Sequence, residues 1–358
     1  MTPLAASRET AAQALGLRAW ALRRVLGGDV ATPAPAASAA AWHVFLRWER
    51  CAALLGTPDL PGHAAAVLRD AVFRETRHIL SARAQLRTIA RIAQDAGIDV
   101  IALKGSADVA RGMNVPSADV DVLARPGAAE ALVAALDGAG FTAESRGNAH
   151  HLEPRTLPGA LHVEVHFGVS GFDAPGDVPW DRAEPVEAMP PLLVLAGQDH
   201  AWTVLCQAAR TDVSKRHCIR DLAMLRAALA RCDAPSLATL HDRIDGSPYA
   251  VVMRQMLERA TGGGGADPAG DRLARVYLMH TRTVSLPRPV AIAQLWQLAA
   301  DGIAIGPLSN WRRLESARAA ATRYGWRPRR LLTLPAFLVS AAAAATLTAD
   351  APWLPPSR

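Results

Sequence analysis

Apolar residues recur at three- and four-residue steps between about Ala64 and Ala96, at Val67, Leu68, Val72, Phe73, Ile79, Leu80, Leu86, Ile89 and Ile92. That period predicts one long amphipathic helix, ended by Gly97. Residues 1–96 as a whole read as helical, with a break at "GGDVATPAPAAS" (27–38), where glycine and proline cannot sustain a helix. The period then changes. "IDVIAL" (98–103) is a short β-branched run after a glycine, the pattern of a buried strand. "DVDVLA" (119–124) alternates acidic and aliphatic positions, and "PGAAEALVAALDGAG" (126–140) predicts a helix with proline near its start and glycines at its end. Residues 141–144 and "ALHVEVHFGV" (160–169) alternate like strands on either side of a loop at 146–159. From Pro191 the helical period returns in "LLVLAGQDHAWTVLCQAAR", "HCIRDLAMLRAALARC" and "YAVVMRQMLERA", before a glycine-rich loop or linker at 261–271. No internal repeat is visible.

These patterns predict an α+β protein: a small mixed sheet flanked by helices, with a helical N-terminal segment (1–96), a core (97–190) and a helical C-terminal domain (191–358). A chain of 358 residues has the length for two or three compact units. Half of it is hydrophobic, but alanine dominates that half and aromatics are 5%, which again favours helix packing.

The net charge of +6 and a pI near 9.7 favour anionic partners, through non-specific electrostatics only, and no specific nucleic-acid motif accompanies them. The four cysteines show no CxxC spacing, and the start of the chain lacks a basic stretch followed by an apolar core and a cleavage site. A cytoplasmic protein with buried thiols is the expectation. The longest apolar run, 331–347, follows "WRPRR", contains Pro335 and is short of the roughly 20 residues a membrane span needs. It is expected to be a packed or interfacial helix, and the arginine cluster at 312–330 a solvated helix face.

Asp119 and Asp121 are two apart on a predicted strand, so both carboxylates share one face while Val120 and Val122 take the other. Unpaired carboxylates so close repel each other, and a divalent cation is the common way to stabilise them. Glu164, between Val163 and Val165, supplies a third acid of the same kind. Oxygen ligands suit Mg²⁺ or Mn²⁺, and three carboxylates on adjacent strands can hold two ions that clamp an in-line displacement at phosphorus. Upstream, Gly105 and Ser106 stand between a strand and a probable helix, a place where backbone can approach a phosphate.

Of the 39 basic residues 37 are arginine, so the two lysines, Lys104 and Lys215, suggest places where a compact ammonium is needed, such as a phosphate contact. His166 shares the face of Glu164 and is a candidate supporting group or proton relay. His150, His151, His162 and His166 lack the spacing of a zinc site. Asp221 sits beside an apolar stripe, with an internal ion pair to Arg220 or Arg216 as its plainest use.

Gly105-Ser106 after an apolar strand, Asp119-Val120-Asp121 twelve residues on, and Glu164 between two valines resemble the signature of the DNA polymerase β-type nucleotidyltransferase superfamily. The wider stretch, with "LKG", "DVDVLA", "HVEVH" and the later "HCIRDLAML", is similar to a poorly characterised bacterial nucleotidyltransferase family, strongly over 98–168 and moderately to about 230. The resemblance implies metal-dependent transfer of a nucleoside monophosphate from a nucleoside triphosphate, with ATP the expected donor, to a small molecule, peptide or protein. It implies Asp119, Asp121 and Glu164 as metal triad; with the residue readings above, nucleotide contacts are expected from Lys104, Gly105, Ser106, His166, Arg210 and Lys215. It also implies a setting in peptide natural-product or polysaccharide biosynthesis. One departure is visible: relatives commonly carry an arginine shortly before the Asp-x-Asp, whereas "MNVPSA" has none, leaving Arg111 as the expected substitute. Phosphoryl or glycosyl transfer to a peptide natural product, or a silent nucleotide-binding scaffold, are the alternatives.

Overall fold

The computed structural model describes residues 3–56, 58–143, 151–169, 171–172, 177–210, 218–247 and 249–262. Lys215, His150, the arginine cluster and the long apolar run therefore lie outside the described residues. No helix among the described residues is long and apolar enough to cross a membrane.

The chain opens with four helices, α1 (Pro3–Leu26), α2 (Ala39–Glu49), α3 (Ala52–Leu55) and α4 (Gly62–Asp95). Ser38 caps α2 by accepting the Ala41 amide, which replaces one of the bonds a helix start lacks. The end of α1 and α2 bury Trp20, Trp42 and Phe45 with edge-to-face ring contacts at 5.9 Å, the aromatic centre of one apolar cluster. The long helix α4 buries Leu68, Ile79, Leu86 and Ile89 as its period predicts. Phe73 and Leu80, part of the same predicted stripe, are exposed. Ala71, Ala82, Ala90 and Ala93 complete the buried face instead, because small residues allow the close approach.

Seven strands form one mixed sheet: β1 (Val100–Ala102), β2 (Asp119–Ala124), β3 (Thr142–Ala143), β4 (Arg155–Thr156), β5 (His162–His166), β6 (Glu184–Pro185) and β7 (Leu192–Val194), in the order β3-β4-β5-β2-β1-β7-β6. β2 runs antiparallel to β1 and parallel to β5, with α6 (Ala129–Gly138) in the connection. The α+β architecture expected from the sequence is the one observed. Two details differ. The stretch 192–194, read with the helix that follows, is strand β7 beside β1, because Pro190, Pro191 and Gly197 isolate a short aliphatic run from the helical period. The loop 146–159 contains the short strand β4, whose Arg155 is held by Asp137 at 2.6 Å.

The sheet's two faces differ in chemistry. Val100, Ala102, Val120, Val122, Val163, Val165, Leu192 and Val194 join the main core with α4, α6 and the later helices. Ile101, Leu103, Leu123 and Leu195 form a smaller cluster on the other face, with Val169 and Val178 from the loops over it. Period-two alternation then places Asp119, Asp121, Glu164 and His166 on that second, thinner face.

Helices α7 (Gly197–Arg210), α8 (Ile219–Leu229), α9 (Ala234–Asp245) and α10 (Ala250–Ala260) follow. Gly197 is needed where α7 meets the end of α8: a Cβ there would lie 3.0 Å from the Ala228 carbonyl oxygen. Ile219, at the start of α8, is buried in the cluster of α1 and α2. The beginning of α8 thus touches the N-terminal helices while its later residues join the sheet's core.

Candidate functional site

The parallel register of β2 and β5 sets the site. Asp121 lies directly beside Glu164, Asp119 beside His162, and Leu123 beside His166. One oxygen of Asp121, one of Glu164 and one nitrogen of His166 all fall within 4.8 Å of one another, the spacing of a set that can share a metal ion. Asp119 stands two residues upstream on the same face, half-buried, with Ser117 Oγ 3.4 Å from it. The two strands therefore bring Asp119, Asp121, Glu164 and His166 together, from opposite ends of a 48-residue span of sequence.

Asp121 is the centre of the set. It is 2% exposed, its Oδ1 accepts from Lys104 Nζ at 2.5 Å, and His166 Nε2 is 2.8 Å from the same oxygen. Burial works against its charge, but the ammonium and the imidazole outweigh it and hold the carboxyl well below the usual range. Burial also opposes charge on His166 and Lys104, and the Asp121 carboxylate leaves both with raised pKa values. Asp119 is the opposite case. Burial, Asp121 and Glu164 all raise its pKa, against weaker help from Lys104 and Arg50.

Glu164 is reached by His166 and His151, each at 3.5 Å. His151 bridges His166 across the strand edge with ring centroids 5.3 Å apart, and burial lowers its pKa. The sequence offered no periodic signal for His151, which precedes β4 in an irregular stretch.

Lys104 owes its position to the backbone. β1 ends at Ala102 and helix α5 (Lys104–Ala110) starts at once, with Lys104 at φ 51. Left-handed geometry costs a non-glycine residue about 1–2 kcal/mol, and turning the chain this way aims the ammonium at Asp121. Gly105 is buried, and a Cβ there would meet Ser117 Oγ at 3.2 Å, so the tight start of α5 depends on its small size. Ser106 is buried too, and its hydroxyl accepts the Asp121 backbone N–H at 2.9 Å. It fixes the strand that carries the aspartates.

Other sequence-predicted residues fall elsewhere. Arg111 donates to Glu184 at 2.8 Å and to the Leu195 carbonyl at 2.6 Å, so its guanidinium is used to join α5 to β6 and β7 rather than to face Asp119. Arg210 ends α7 with its side chain outside the described atoms, as Lys215 is altogether. Asp221 pairs with Arg220 at 2.7 Å, the internal ion pair its position suggests. Periodicity gave no sign that Arg50, at the end of α2, belongs with these groups. Yet both Asp119 and Asp221 lie within its electrostatic reach.

Asp121, Glu164 and His166 together offer ligand atoms that could hold a metal ion, with Asp119 two residues away on the same face and Lys104 on Asp121. A family model described as an uncharacterised nucleotidyltransferase matches residues 46–246, more than half of the chain and all of this site. No curated protein and no solved structure matches the chain.

Proposed function

Since the chain belongs to this family of uncharacterised nucleotidyltransferases, we propose that its acidic sheet face moves a nucleoside monophosphate from a nucleoside triphosphate, ATP in the first instance, to a hydroxyl of an acceptor. The single observation that carries the reading is the Asp121–Glu164 pair, in register on adjacent strands with His166 beside it. Asp119, Asp121 and Glu164 would hold Mg²⁺ or Mn²⁺, which supplies charge neutralisation at the transferring phosphate and acidifies a bound hydroxyl. In the reaction the acceptor oxygen bonds to the α-phosphorus, the bond to the bridging oxygen breaks, and pyrophosphate leaves. Glu164, in register beside Asp121, is assigned the hydroxyl proton as well as a metal contact.

His166 and Lys104 keep Asp121 ionised and oriented, and Ser106 fixes its backbone. Gly105 leaves room at the start of α5, and Arg210 and Lys215 are assigned to the nucleotide. The chemistry is assigned to residues 97–190, with helices before and after completing the donor site. All four cysteines are free, which fits a reducing compartment such as the cytoplasm.

The test is melting of the full chain with Mg²⁺, Mn²⁺ and each triphosphate, followed by mass spectrometry of acceptor candidates. A metal-dependent rise in midpoint with a triphosphate, and a nucleotide-sized mass increment, are expected. A phosphate or hexose increment would reassign the transferred group, and no ligand-induced rise would overturn the reading.

Lys104 gives a separate prediction. Its ammonium neutralises Asp121 when no metal is present, so Lys104→Met should lower metal-free stability by about 1–3 kcal/mol, the cost of removing a partner from a buried charge. Saturating Mg²⁺ should restore most of that loss. Equal melting of variant and wild type in EDTA would show that the pair contributes nothing.

A further inference from the structure

Helix α5 carries two of the groups that hold Asp121, the Lys104 ammonium and the Ser106 hydroxyl, yet it is only seven residues long. A helix so short keeps no orientation of its own. Its packing surface offers little steric register either: residues 105–110 are all buried, and Gly105, Ser106, Ala107 and Ala110 are small. Something else must fix how α5 sits on the sheet.

Asp108, two residues after Ser106, meets His200 in the first turn of α7, with His200 Nε2 3.0 Å from Asp108 Oδ2. Both side chains are 0% exposed. The pair is poorly suited to adding stability. Neither Asp108 Oδ1 nor His200 Nδ1 has a hydrogen-bond partner among the described residues, so each polar group is buried with part of its bonding capacity unused. Burying polar atoms in this way costs more than an apolar contact of the same size. What a hydrogen bond supplies instead is direction.

His200 is itself held in place. The adjacent Asp199, also fully buried, takes Arg182 at 3.1 Å and Arg243 of α9 at 3.0 Å. The first turn of α7 is thereby fastened both to α9 and to α5. At its other end α5 is tied by Arg111 to Glu184 and to the Leu195 carbonyl.

We propose that the Asp108–His200 hydrogen bond sets α5 on the sheet, and so places the Lys104 ammonium and the Ser106 hydroxyl on Asp121. Asp108 and His200 are positioning residues, acting on the site through α5. The proposal rests on the nucleotidyl-transfer reading only for the use made of Asp121, because the placement of Lys104 can be read with no ion present.

The test is NMR of the full chain grown with isotope-labelled lysine. Lys104 and Lys215 are the only lysines in the sequence, so each gives one side-chain signal, and Lys104→Met identifies which is which. In metal-free wild type the Lys104 signal should be shifted from that of a solvated ammonium by its bond to Asp121. The double variant Asp108→Leu with His200→Leu should melt near the wild-type midpoint, because a well-packed apolar pair can replace a buried polar one without loss. Its Lys104 signal should nonetheless move to the solvated position. Its Mn²⁺ affinity should fall by roughly tenfold or more, the scale of losing a group that orients a metal ligand. Asp108→Asn, which keeps an acceptor for His200, should retain the wild-type signal.

A double variant with the wild-type lysine signal would overturn the proposal. So would one that melts far lower, which would make the pair a stabilising contact, or an Asp108→Asn signal as solvated as that of the double variant. A lysine signal that depends on the pair, in a wild type that takes up no Mn²⁺, would support the positioning contact and remove the transferase reading instead.

Discussion

Asp119→Asn and Asp121→Asn should both abolish metal-dependent triphosphate turnover yet shift metal-free stability in opposite directions. Each substitution keeps the side chain's shape and removes a charge that a divalent ion requires. Losing several kcal/mol of transition-state stabilisation corresponds to a rate loss of roughly a thousandfold. The stabilities diverge because the two carboxylates have different neighbours. Asp119 is held near other acids, which raise its pKa, so its ionised form is the less stable one in the fold and Asn relieves the repulsion. Asp121 answers Lys104 and His166, so Asn leaves two buried cationic groups without their partner, at a cost of about 1–3 kcal/mol. Melting curves in EDTA check the pair. A fall of the same size in both variants would show that the aspartates share one structural role.

Glu49→Ala should be the most destabilising single change outside the apolar cores. Arg18 and Glu49 are each 1% exposed, and the same carboxylate accepts the Ile219 N–H. Removing one partner of a buried ion pair costs about 3–5 kcal/mol, because the other charge stays behind. Denaturant unfolding measures this directly. The double variant Glu49→Ala with Arg18→Met should recover much of the loss, and a double variant no more stable than Glu49→Ala would locate the cost in the Ile219 amide rather than in the charge.

The acidic face was legible in the sequence because alternation is a local rule. Asp119, Asp121 and Glu164 each lie between aliphatic residues, and period two alone puts each on one side of its strand. Their convergence needed the parallel register of β2 and β5, which periodicity alone did not show, although the resemblance implied the triad. The same local rule failed at Leu192–Val194, where three aliphatic residues fit either a strand or the helix that follows. It also suggested that the aspartates were unpaired. That is half right: Lys104 reaches Asp121 only because its backbone turns left-handed, a conformation no propensity assigns to lysine. Arg50, Glu49 and His151 were silent for another reason. Each acts on partners brought close by packing between distant elements, and pattern within a window carries no trace of that.

The bond from Glu49 to Ile219 spans 170 residues, and that separation has a consequence for how the protein is made. Translation at about 5–20 residues per second puts roughly ten to thirty seconds between the emergence of Glu49 and that of its partner amide. Arg18 has already left the ribosome by then, so the ion pair can form early within the N-terminal helices and shield the carboxylate during the wait. The amide contact comes last. A ribosome-bound chain stalled before residue 219 should hold a folded helical cluster whose outer edge, where Ile219 later packs, is still open to chaperones and proteases.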